Sequence, residues 1–159
     1  HEVEATRLAI SSIRQLSRLL HPPELEIGDV FSVVQEHICS LPGSPKITCT
    51  RLGEEPPLPP DKKGHLFRIV QEAVTNAVKH ARPGRIRIRF RWYSGSLELM
   101  IEDDGRGIAD SPESGVGMRS IRDRAAILGG AISWTHGPAG GTIVKLEVRG
   151  LAPPELSRA

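Results

Sequence analysis

The sequence is short of several things, and each shortage removes a class of explanation. It has two cysteines in 159 residues, Cys39 and Cys49, with no C-x-x-C pair. A disulfide framework is excluded and reduced thiols are expected. Aromatic residues make up 4% of the chain and the net charge is only +2, too weak a footprint for nucleic acid. Arg85, Arg87, Arg89 and Arg91 alternate with Ile86, Ile88 and Phe90, so the basic cluster reads as the wet face of a strand. Six histidines lack metal-ligand spacing, which argues against a structural zinc site. No apolar run reaches membrane-spanning length and no signal-peptide pattern is present. The first residue is not Met and the opening residues already read as helix, so a piece of a longer, cytoplasmic or membrane-anchored protein is expected.

What is there suits a single soluble domain with a real core, at 38% hydrophobic and 25% charged residues. Residues 2–20 carry an apolar helical stripe that the proline after His21 stops. Asp29 can cap a second helix running to about Cys39. Lys46 to Leu52 alternates as a strand, and EEPPLPP at 54–60 is a connector that no helix or central strand can occupy. A helix from about Asp61 ends near Pro83-Gly84. Arg85 to Tyr93 and Ser96 to Glu102 make a hairpin across Ser94-Gly95. A glycine-punctuated loop spans 103–117, a helix runs from about Met118 to Leu128, and Gly129-Gly130 ends it. Ala131 to Thr135 and Gly141 to Val148 form the last pair of strands, and the tail after Gly150 reads as unstructured. Hairpins interspersed with helices predict an α/β fold, a two-layer sandwich with helices on one face of a mixed sheet.

Three stretches carry chemistry. In QEAVTNAVKHA at 71–81, Glu72, Asn76, Lys79 and His80 fall within an arc of about 100° on a helix. Leu66, Phe67, Val70, Ala73, Val74, Ala77 and Ala81 cluster opposite them as the core face. A carboxylate, an amide, an ammonium and an imidazole would thus line one wall of a cleft; a solvated polar face is the plain alternative. In IEDDGRGI at 101–108, Asp103 leaves a strand just before Gly105 and Gly107. Its carboxylate can accept from an exocyclic amine such as that of adenine, and glycines admit a flat ring. In SGVGMRSIRDR at 114–124, Gly115 and Gly117 stand at the mouth of a helix, where N–H groups favour phosphate. Ser120 occupies the place of a third glycine, so this is no dinucleotide fingerprint, and no P-loop pattern exists. Thr142, opening the final strand, offers a hydroxyl.

Taken in order, E-x-x-x-N-x-x-K-H, D-x-G-x-G, G-x-G-M and G-T resemble the boxes of the GHKL ATPases. That superfamily includes sensor histidine kinases, type II topoisomerases, MutL and heat-shock chaperone ATPases. The likeness is to the ATP-binding domain of two-component sensor kinases of the nitrate-sensor and lipid-fluidity-sensor type, over roughly residues 10–149. QEAVTNAVKHA looks like the N box, DDGRG the G1 box and GVGMRSIRDRAAILGG the G2 box. RQLSRLLHPPELE looks like the end of a dimerisation region. Residues 1–26 would then be that region and its linker, 27–150 the catalytic domain and 151–159 a tail.

The resemblance implies roles. Asn76 would ligate Mg²⁺ together with ATP phosphate oxygens, and Glu72 would orient the metal's water or act as a base. Lys79 and His80 would approach the phosphates, with Glu72, Asn76 and Lys79 as the catalytic set. Asp103 would bind adenine N6, Gly105 and Gly107 would make room for the purine, and Gly115, Gly117 and Met118 would end the ATP lid. Thr142 would support the phosphate or adenine side. The implied partners are the phosphoacceptor dimerisation domain of the same protein, forming a homodimer, and a response regulator. The segment from Ile108 to Ser114 is short and no F box is visible, as in the nitrate-sensor group. His1-Glu2 lies too close to His21 to be the acceptor dipeptide of a full helical hairpin, so the acceptor helix is expected to be missing. An anti-sigma or serine-kinase regulator that mainly grips a protein partner is the alternative, and a nucleotide-free interaction module a third.

Overall fold

A computed structural model describes residues 22–107, 116–138 and 140–152. The helical stripe at 2–20, His21, Gly115 and the segment 108–114 lie outside the described residues. The first described element is a short 3-10 turn, Pro23–Glu26, whose Leu25 is buried. Helix α1, Val30–Val34, begins where expected: Asp29 caps it by accepting the Ser32 N–H at 2.6 Å. It does not run as α-helix to Cys39; Gln35–Cys39 continue in the wider π geometry. Strand β1 is Lys46–Leu52.

Helix α2, Pro60–Asn76, takes its first residue from the proline connector. That is allowed because the N–H that proline lacks has no intrahelical partner in the first turn. Every residue expected on its core face is buried. Ile69, Gln71 and Val78 are buried as well, because the helix is covered on more than one side. After Asn76 the helix loosens into a π turn, Ala77–Ala81, and stops at Arg82, which adopts left-handed backbone (φ 48°). Lys79 and His80 therefore do not continue the α-helical arc of Glu72 and Asn76. A π turn spends an extra residue per turn, which shifts the phase of the side chains beyond it.

Strands β2 (Arg85–Tyr93) and β3 (Ser96–Asp103) form the hairpin, helix α3 is Val116–Ile127, and β4 (Ala131–His136) and β5 (Thr142–Val148) complete the sheet. The five strands lie in the order β1-β2-β3-β5-β4. β1 runs parallel to β2 across the α2 crossover, and the remaining neighbours are antiparallel. The sheet is mixed, as expected.

Strand alternation sorts the two faces. Ile86, Ile88, Phe90 and Trp92 of β2, Leu97, Leu99 and Ile101 of β3, and Val144, Leu146 and Val148 of β5 point into one core shared with the helices. On the outer face Arg89 pairs with Glu102 at 3.5 Å, Arg91 with Glu98 at 3.7 Å and Lys145 with Glu147 at 2.8 Å. The basic cluster is the wet face of a strand. The tail reading is corrected in part: Leu151 and Ala152 are buried, and Ala152 donates its N–H to the Gly95 carbonyl at 3.0 Å. Their apolar side chains close the core beneath the β2–β3 turn. Both cysteines are free thiols.

Candidate functional site

β3 extends one residue beyond the expected Glu102, to Asp103. Strand parity then separates two neighbouring carboxylates. Asp103 shares the face of Leu97, Leu99 and Ile101, so its carboxyl enters the helix-facing side of the sheet, where it is buried. Asp104, one residue on, points the other way and is exposed; its Oδ1 accepts the N–H groups of Gly84 (2.8 Å) and Arg85 (2.9 Å). One of the pair is a site candidate and the other fastens the turn into β2. The Asp103 carboxylate accepts the Gly105 N–H at 2.9 Å and is also held by the Thr142 backbone N–H. Burial pushes its pKa above the usual aspartate range, against the pull of those two N–H donors.

Thr142 opens β5 beside it, buried, with a fully buried Oγ1 that has no hydrogen-bond partner. A buried hydroxyl without a partner costs free energy unless something satisfies it. Gly141 precedes it because a Cβ there would collide with the Asp103 carbonyl oxygen. Gly105 is pressed in the same way against the backbone of Ala81 at the end of the π turn after α2, so glycine is required there by packing before any ring is considered. Gly107 takes a positive φ of 88°.

On α2, Glu72 and Asn76 are half-buried one turn apart, while Lys79 and His80 are exposed on the π turn. Glu72 is far from free. Its Oε1 accepts from Ser120 Oγ at 3.0 Å and from Arg68 Nη2 at 3.5 Å, and Arg124 Nε stands 3.9 Å away. Its Oε2 is fully buried and has no partner. Arg124 in turn reaches His65 Nδ1 at 3.0 Å, which makes that nitrogen an acceptor, since arginine only donates. Burial, then the nearby Arg124 charge, holds His65 below its usual pKa. Met118 is half-buried on the first turns of α3, and Gly117 lies in the same helix.

Sequence reasoning singled out Glu72 but missed Arg68, Ser120 and Arg124. A signal existed for Arg68, four residues before Glu72 on one helix face. None existed for Arg124, which meets Glu72 only because α3 packs on α2. Asn76 could offer Mg²⁺ a hard oxygen beside ATP phosphate, with Glu72 acting through the metal's water, and the unpartnered Oε2 fits that part.

Residues 61–151 match the family described as histidine kinase-, DNA gyrase B-, and HSP90-like ATPase. The nitrate/nitrite sensor protein NarQ of Escherichia coli (strain K12) is 32% identical over 143 residues, 86% of this chain and 25% of that protein. The sensor protein VraS of Staphylococcus saprophyticus is 32% identical over 108 residues, 67% of this chain and 30% of that protein. The chain thus spans less than a third of the length of either relative. The solved histidine kinase domain from Erythrobacter litoralis EL346 blue-light activated histidine kinase shares the fold, with a TM-score of 0.65 at 23% identity over 99% of this chain and 79% of that one. The ATP binding domain of PrrB from Mycobacterium tuberculosis does so at 0.58 and 21%, over 77% and 93%.

Proposed function

The chain belongs to the histidine kinase-, DNA gyrase B-, and HSP90-like ATPase family, in the branch that forms the catalytic domain of sensor histidine kinases, and from that premise we propose how its residues hold and use ATP. The observation that carries the reading is the buried pair at the sheet end, the Asp103 carboxylate with the partnerless Thr142 hydroxyl beside it. Asp103 accepts the adenine amino group, and Thr142 donates to the nucleotide from the neighbouring strand. Asn76 would hold Mg²⁺ and Glu72 would orient the metal's water through Oε2, and Lys79 would meet phosphate charge from the exposed turn, with His80 beside it. Gly105 and Gly107 make room for the purine, and Gly117 and Met118 at the start of α3 end the ATP lid. Mg²⁺, when bound, neutralises charge on the phosphate oxygens.

In the whole protein the γ-phosphoryl passes in line to a histidine nitrogen of the dimerisation helix and then to a response-regulator aspartate. Residues 27–150 supply the catalytic domain, with Leu25, Leu151 and Ala152 packed into its core. Positioning and electrostatics carry the chemistry. The parent works as a homodimer with its catalytic domain on the cytoplasmic side, a reading that rests on its likeness to sensor proteins. Among the described residues no helix is long and apolar enough to cross a membrane. Calorimetric titration with ATP or ADP, with and without Mg²⁺, tests the reading. Saturable binding is expected, and no binding at millimolar nucleotide would overturn it.

A further inference from the structure

Glu72 is gripped through one oxygen and idle through the other. Two donors from two helices reach Oε1, Arg68 of α2 and Ser120 of α3, and the Arg124 guanidinium of α3 stands beside it as an ion pair at 3.9 Å. Oε2, fully buried, has none. A carboxylate on a flexible side chain ordinarily spreads its acceptors over both oxygens, so a set of partners crowded on one oxygen fixes the rotamer. Arg124 is itself held from behind by His65 Nδ1 at 3.0 Å, which keeps the guanidinium from swinging away.

Resting on the nucleotide-binding reading above, we propose that Ser120 and Arg124 are positioning residues that lock Glu72 so that Oε2 alone is presented to the metal's water. They touch neither nucleotide nor metal; they act through the carboxylate. Groups that orient a metal-facing ligand commonly change metal affinity when removed, although they bind nothing themselves. The arrangement also ties the metal wall on α2 to the placement of α3.

The test is the Mg²⁺ dependence of ATP affinity, measured by calorimetry on the intact chain beside Ser120→Ala, Arg124→Ala and Arg124→Lys, with a melting curve for each. Folded Arg124→Ala should lose about fivefold or more of the gain in affinity that Mg²⁺ confers, while its Mg²⁺-free affinity stays within about twofold of wild type. Ser120→Ala should move the same way by less, and Arg124→Lys should recover part of the gain. A purely structural role would lower both affinities together, and that outcome overturns the inference, as does an unchanged Mg²⁺ gain. Should Arg124→Ala fail to fold, Ser120→Ala decides by the same criterion. A wild-type chain that binds no ATP at all instead sinks the nucleotide reading itself, a result distinct from either.

Discussion

The Arg106 backbone N–H donates to the Ala81 carbonyl at 2.9 Å, joining the acidic-glycine loop to the π turn that follows α2. Gly105 sits inside that junction, with no room for a Cβ against Ala81. Gly105→Ala must therefore push two backbones apart, at a cost of about 1–3 kcal/mol. Thermal unfolding should register that loss without nucleotide present. A variant that melts like wild type and only binds ATP more weakly would mean that the glycine serves the ring alone.

Asp103→Asn keeps size and burial but puts an amide donor where an acceptor is needed. ATP affinity should fall about tenfold or more, with adenine recognition lost and phosphate contacts intact. Comparing ATP with inorganic triphosphate separates the two: triphosphate binding should be unaffected by the substitution.

Asn76→Ala removes the amide oxygen assigned to Mg²⁺. ATP should still bind, and adding Mg²⁺ should no longer tighten it. If Mg²⁺ tightens binding as much as in wild type, the metal lies elsewhere.

Asp104→Ala takes the shared acceptor from Gly84 and Arg85 N–H at the entry to β2. A loss of about 1–2 kcal/mol in denaturant unfolding is expected, with ATP affinity nearly unchanged. A large fall in affinity with little change in stability would assign Asp104 to the site.

Glu55 predicts a pH dependence. Its two oxygens meet the Val30 N–H at 3.0 and 3.2 Å, and burial raises its pKa from 4.5 to about 7, opposed by that N–H and by Lys63 and Arg51. The folded state thus binds this proton more tightly than the unfolded chain. The stability it contributes is complete below about 4.5 and is lost as pH rises through about 7, on the order of 3 kcal/mol at most. Glu55→Gln should flatten that part of the stability–pH curve between pH 5 and 8. An unchanged slope would place the titration on another group.

From Val30 onward the order of helices and strands, the alternation of β2 and the buried stripe of α2 were legible in the sequence. Those arise from side-chain periodicity, which is written locally. It also marked Glu72, Asn76 and Asp103, because their spacing from glycines and apolar positions is local too. It did not reveal that α2 changes to a π turn at Ala77, since that depends on how the helix end meets the glycine loop. It picked Asp103 over Asp104 but not the role of Asp104: one further residue of strand, set by pairing with β2, turned one carboxylate into the core and left the other to fasten the turn into β2. Leu151 and Ala152 looked like loose tail until the β2–β3 turn offered them a partner. Only the tertiary structure brought Ser120 and Arg124 to Glu72, across 48 residues in the case of Ser120. Contacts between distant segments depend on helix packing, which no local pattern encodes.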